Sequence, residues 1–289
     1  GEAHDHEGEG REGDAREGHG DEDHGDEDQG GEDQGGEADA IAPRRDGPGV
    51  ARTMIRVDRV SIGGVLGDAL GEVVFVELTT PESALLARDS ARLHEAEREL
   101  AKSFPAAARR DAFLAGRLAV HAALADAGDS RAHRMPVLRD ARGKPQASWG
   151  DAPALSIAHT RIRAVAAVSR NRACRALGVD VEEIAANRAE ALLRMAISAD
   201  ERRLLAEVDP ALLAGPIALW CAREACVKAH ALDVGWFGSA LRVASIEPVA
   251  ARMPDAESSW DIAVRFESRP EMLAHAWQAN GAAFAVTGR

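Results

Sequence analysis

The chain has 289 residues, 45% of them apolar, and a formal net charge of −13 at pH 7; that is enough for a packed core of one or two domains. The charge is lopsided: residues 1–40 hold 17 Asp and Glu against Arg11 and Arg16, a net of −15, which leaves +2 on residues 41–289. Such a body lacks the basic stripe of a nucleic-acid-binding protein, no apolar run approaches the ~18 residues of a membrane helix, and the acidic N-terminus reads as neither a secretory signal nor a transit peptide.

Residues 1–48 are built from Gly, Glu, Asp, His and Gln. They carry too little apolar surface to offset the entropy of ordering and are expected to be a disordered tail. His4, His6, His19 and His24 sit among carboxylates there. They read either as a loose metal buffer or as ordinary members of a solvated acidic segment, because no ligand spacing repeats.

Order is expected from about Val50. The β-branched runs 57–62 and 73–78 predict strands. A helical stretch over 82–103 ends near Pro105, and Phe113, Leu114, Leu118 and Leu124 place a helix over 109–127, stopped by Gly128. Val137 and Leu138, a polar turn through Gly143, and a hairpin with arms 154–158 and 164–169 follow. Residues 176–181 predict another strand. Helices are expected over 188–195, from Ser198, and from Pro216 to Ala231, with antiparallel strands over 239–246, 260–266, 274–278 and 282–287. Helices and hairpins thus recur in two successive halves, although no sequence repeat relates them. Cys174, Cys221 and Cys226 show no C-x-x-C spacing; a disulfide framework is not expected, and a reducing cytoplasm is the simpler home.

Several groups of residues bear chemistry, and each also has a plainer reading. In Gly178-Val179-Asp180-Val181-Glu182, strand alternation puts Asp180 and Glu182 on one face. Two carboxylates about 7 Å apart repel unless solvent or a hard cation intervenes; a solvated strand end is the alternative. Trp220, Glu224 and Lys228 fall at i, i+4 and i+8 of a helix, so Glu224 can add a third carboxylate and Lys228 a phosphate clamp. Glu four residues before Lys is equally the ordinary helix pair. Ser156 and His159 flank a hairpin end and can hold phosphate oxygens, or simply be polar turn residues. Arg117 can offer a planar fork to phosphate or snorkel to solvent. Lys144 lies in Gly143-Lys144-Pro145, which by itself signals a turn. Ser198-Ala199-Asp200-Glu201 is a capping box, so Glu201 has a structural role at hand.

The order of these motifs is more specific than any one of them. Gly-Arg in a helix, Gly-Lys-Pro, Ser-x-x-His-Thr, Gly-Val-Asp-Val-Glu and Trp-x-x-Arg-Glu-Ala-x-x-Lys together resemble the 4′-phosphopantetheinyl transferase superfamily. The resemblance is to its larger, pseudo-dimeric branch, typified by the surfactin-synthetase activating enzyme; residues 109–124 are similar to the enterobactin-associated subgroup. It is clear over 106–228 and motif-poor over 50–105 and 232–289.

The resemblance implies an α+β fold of two similar α/β subdomains with a pseudo-twofold relation, at 49–175 and 176–289, preceded by the acidic tail. It implies transfer of 4′-phosphopantetheine from coenzyme A to a serine of an apo acyl or peptidyl carrier protein, with release of 3′,5′-ADP and dependence on Mg²⁺. By motif position, Asp180, Glu182 and Glu224 match the metal-binding acids, and Lys228 a lysine near the phosphates. Ser156, His159, Lys144 and Arg117 match positions around coenzyme A, and Glu201 a glutamate proposed as a base in some members. Ala158 stands where the family usually has a second serine, and Arg223 where it commonly has lysine. The partners implied are coenzyme A and a carrier protein, with no nucleic acid and no membrane, for a monomer. Two rival readings are a metal-dependent phosphohydrolase using the same carboxylates, and a non-enzymatic metal-binding protein acting through its His-rich tail.

Overall fold

In the computed structural model, residues 54–61, 70–79, 83–232, 240–267 and 269–289 are described. The expected tail at 1–48 and the start of the strand expected from Ser239 lie outside them. Residues 49–289 form one compact unit. The strands are β1 (Met54–Ser61), β2 (Glu72–Thr79), β3 (Val137–Arg139), β4 (Pro145–Ala147), β5 (Leu155–His159), β6 (Arg163–Ser169), β7 (Leu177–Glu183), β8 (Leu241–Pro248), β9 (Ser258–Phe266), β10 (Met272–Ala279) and β11 (Ala282–Gly288). The helices are α1 (Ser83–Ser90), α2 (Glu95–Lys102), α3 (Ala107–Asp126), α4 (Ala186–Met195), α5 (Ala199–Val208) and α6 (Ala214–His230). Among the described residues no helix is long and apolar enough to cross a membrane.

The fold is α+β and its element order repeats. β2, two short helices, the long α3 and β3 to β6 make one half. β7, two short helices, the long α6 and β8 to β11 make the other. In each half the first strand pairs antiparallel with the last, β2 with β6 and β7 with β11. The sheets are β1-β2-β6-β5 and β7-β11-β10-β9-β8; the β3-β4 pair stands apart, whereas its counterpart β8-β9 joins the second sheet through β10.

Each sheet buries one face under its long helix. Val74, Val76 and Leu78 of β2 pack with Phe113, Ala119 and Val120 of α3. Ile262 and Val264 of β9 pack with Ile217 and Ala218 of α6. The other faces meet each other: Phe75 stands edge-on to Trp277 and Phe284, with ring centroids 5.1 and 5.8 Å away. The β5 and β7 edges are stitched where Val179 N–H donates to Ser156 Oγ at 3.1 Å. Arg163 of β6 also ties the halves, pairing across them with Glu183 at 3.0 Å while holding Glu77 of its own half.

Local chemistry corrects one expectation and refines another. The helix expected over 82–103 is two helices, because His94 caps α2 and Glu97 completes a capping box with it. The turn at Gly143-Lys144-Pro145, expected to precede a strand, leads into β4, whose three residues pair with β3. A single turn of 3₁₀ helix, Ser130–His133, follows α3.

Candidate active site

The site begins with a close approach of strand to helix. A Cβ on Gly178 would lie 1.9 Å from the Ala225 carbonyl oxygen, so β7 runs against α6 more closely than any side chain at that point allows. Leu177, Val179 and Val181 turn toward the other sheet. Alternation therefore turns Asp180 and Glu182 toward α6.

On α6, Glu224 and Lys228 face that strand. Lys228 Nζ donates to Asp180 Oδ1 at 2.7 Å and to the Val179 carbonyl at 3.0 Å. Lys144, from the other half, donates from Nζ to the Lys228 carbonyl at 3.1 Å. Arg188, in the first turn of α4, donates from Nη2 to Glu182 Oε1 at 2.9 Å. Glu224 has neither hydrogen bond nor ion pair among the described residues.

The electrostatics mark the acids as one cluster. Burial raises the carboxyl of Glu224, and repulsion from Asp180 and Glu182 adds to it, against Lys228 and Arg188. Burial likewise raises Glu182, with Arg188 opposing and Asp180 reinforcing. His159, at the end of β5, is pushed below the usual histidine range by burial, then by the charges of Lys228 and Arg139. That residue is exposed at the strand end, and the two cations beside it disfavour its protonated form. Three carboxylates with two internal cations leave a net negative site. Among the described residues no three His, Cys, Asp or Glu side chains have already converged on one point where a metal could sit. The donor set nevertheless fits a hard cation: oxygen ligands only, mutually repelling and incompletely compensated.

A cleft of about 860 Å³ is lined by Lys144, Arg172 and Arg175, by Asp140 and Asp151, and by Trp149 and Leu177 among others. It does not include the three carboxylates. Lys144 links the two, since it lines the cleft and reaches Lys228.

Two family models match the sequence. The 4′-phosphopantetheinyl transferase superfamily matches residues 176–277, and the 4′-phosphopantetheinyl transferase N-terminal domain matches residues 96–169. The chain belongs to the 4′-phosphopantetheinyl transferase superfamily. The second match is to the domain typical of the larger type. No curated protein matches the chain.

In this transferase the structure brings Asp180, Glu182, Glu224, Lys228, His159 and Lys144 toward one region, and turns three other sequence candidates inward. Arg117 is 4% exposed; it donates to the Leu138 carbonyl at 3.2 Å, lies over the Phe113 ring at 4.4 Å and faces Glu97. Burial, with Arg139 alongside, lowers its guanidinium to about 10 despite Glu97. Ser156 is occupied with the β7 backbone. Glu201 is 2% exposed and accepts from Ser198 N and Oγ, from Val243 N at 2.9 Å and from Arg223.

Two side chains beside the cluster escaped the sequence reading. Arg188 appeared only as the start of a helix, and Arg139 was not singled out; neither belongs to a periodic pattern. The first half puts Val76, Leu78 and Leu118 where the second has carboxylates on its first strand and long helix.

Proposed function

We propose that the protein moves 4′-phosphopantetheine from coenzyme A to a serine hydroxyl of an apo carrier protein and releases 3′,5′-ADP. The observation that carries this reading is the cluster of Asp180, Glu182 and Glu224, clamped by Lys228 and joined through Lys144 to a cleft lined by charges of both signs, in a chain of this superfamily. The subdomains are 49–175 and 176–289, with the site where they meet.

Asp180, Glu182 and Glu224 would hold Mg²⁺, which when bound polarises the pyrophosphate and neutralises charge on the leaving group. The side chains do the rest. The serine oxygen attacks the β-phosphorus, a P–O bond forms, and the bond to the bridging oxygen breaks to leave 3′,5′-ADP. Lys228 and Lys144 supply charge-assisted hydrogen bonds as charge moves onto that oxygen. His159 is a hydrogen-bond donor to phosphate, and approaching phosphates favour its protonated form. Glu224, whose side chain has no ion pair among the described residues, is left to the metal, and the serine proton passes to solvent water. Glu201 has a closed set of partners and serves the fold. The buried, unpaired cysteines suit a reducing cytoplasm.

The deciding experiment is mass spectrometry of a panel of apo acyl and peptidyl carrier proteins after incubation with coenzyme A and Mg²⁺. One phosphopantetheine added to a serine is expected, and lost in Asp180→Asn. Turnover of coenzyme A without any acceptor would favour a hydrolase instead.

A further inference from the structure

Arg188 stands inside the carboxylate cluster as a resident cation. It bonds Glu182 at 2.9 Å, and its guanidinium carbon lies over the Trp220 ring at 5.7 Å. Trp220 is one turn before Glu224 on the same face of α6, so Arg188 bridges β7 and that face. Its hold is slight. Nε is buried without a hydrogen-bond partner, the side chain is 40% exposed, and one hydrogen bond plus the ring keep it in place. Lys228 is anchored twice, on a carboxylate and a backbone carbonyl; Arg188 is the looser of the two cations.

We propose that Arg188 is a positioning residue that occupies Glu182 until a divalent cation arrives, and so sets the affinity and selectivity of the metal site. The inference rests on the metal reading given above. A carboxylate oxygen engaged by a guanidinium is less available to a metal ion, and a nearby positive charge also repels a dication. Metal binding therefore requires Glu182 to be shared or released, and Arg188 to swing off Trp220 toward the anionic substrate side. The arrangement keeps the buried Asp180 and the half-buried Glu182 and Glu224 together while the metal is away, at the expense of metal affinity.

The test is titration of the full chain with Mn²⁺, followed by the electron paramagnetic resonance of free Mn²⁺, for wild type, Arg188→Gln and Arg188→Lys. Arg188→Gln is expected to bind Mn²⁺ about five- to tenfold more tightly, and to melt lower than wild type without metal but level with it at saturation. Arg188→Lys keeps the charge and should stay near wild type in affinity, which guards against a Gln variant that folds poorly. Trp220 supplies a second readout: wild-type fluorescence should change on Mn²⁺ addition, and this change should vanish in Trp220→Phe and shrink in Arg188→Gln. Binding by wild type with unchanged affinity in Arg188→Gln would overturn the assignment of Arg188 alone. Absence of Mn²⁺ binding in all three proteins would overturn the metal reading and this inference with it.

Discussion

Arg223 closes on Glu201 in the interior of the second half, each with a side chain no more than 3% exposed. In the first half Arg117 faces Glu97 from the matching position of the other long helix, 3.8 Å away. Glu97 and Glu201 are both the third residue of a capped helix. Each also accepts from a strand N–H, of Val137 and Val243 respectively. The pair therefore repeats by fold, and Arg223 faces Glu201 and not phosphate. Replacing Glu201 by Ala leaves a buried guanidinium unpaired and should cost about 3–5 kcal/mol of stability, with kcat of the folded fraction within a few-fold of wild type. Burial alone would raise Glu201, but Arg223 and the bonds from Val243 and Ser198 outweigh it and hold the carboxyl low. Its contribution is thus fully present above the unfolded glutamate range and is lost as pH falls through the lowered value. Urea titrations from pH 7 to pH 3 should show an acid limb in wild type that Glu201→Gln flattens. A collapse of kcat in a stable Glu201→Gln protein would return this residue to the chemistry.

Glu224 has the opposite sign. Its carboxyl is raised, so folding favours the protonated form. That advantage is complete below the unfolded value and is lost as pH rises through the folded one. At pH 7 to 8 the ionised cluster works against the fold. Glu224→Gln removes one of three repelling charges and should raise the melting temperature of the metal-free protein by a few degrees. It should also lower transfer at least about a hundredfold. Calorimetry beside a carrier-protein assay checks both, and a lower melting temperature would show that the three acids do not repel one another.

Gly178 links sequence to site geometry. Its absent side chain lets β7 lie against the Ala225 carbonyl, and the Ala229 amide would meet a Cβ at 2.9 Å. Both neighbours are backbone inside a helix and cannot rotate away. Gly178→Ala should cost about 3 kcal/mol and displace Asp180 from Lys228, so stability and activity fall together. Retention of full activity at an unchanged melting temperature would mean that the contact is looser than drawn.

The site was legible where it follows a period. Asp180 and Glu182 share a face because strands alternate, and Trp220, Glu224 and Lys228 share one because helices return every 3.6 residues. Direction was not legible. Arg117 is flanked by Phe113 and His121 at helical spacing, and only the packed fold shows its fork turned to Glu97 and the Leu138 carbonyl. The break between α1 and α2 was missed because His94 is an unusual cap whose role depends on Glu97. The three-residue β4, opening with Pro145, is too short to show alternation. Arg188 went unnoticed because a lone arginine at a helix start takes its meaning from Trp220, 32 positions away.

Lys144 separates binding from chemistry. Burial pulls its ammonium below the usual lysine range, with Asp140 opposing; its Nζ donates to the Lys228 carbonyl, and the residue lines the cleft. If it holds a phosphate of coenzyme A, Lys144→Ala should raise KM for coenzyme A about tenfold or more, the effect of one hydrogen bond to a charged group. The kcat should move less than threefold, and Lys144→Arg should recover part of the loss because the charge remains. If instead Lys144 acts by fixing the C-terminal turn of α6, the same substitution loosens Lys228 from Asp180. In that case kcat falls while KM holds, and arginine does not rescue it. Steady-state kinetics with coenzyme A varied at saturating carrier protein tell the two apart, and the expected result is the rise in KM.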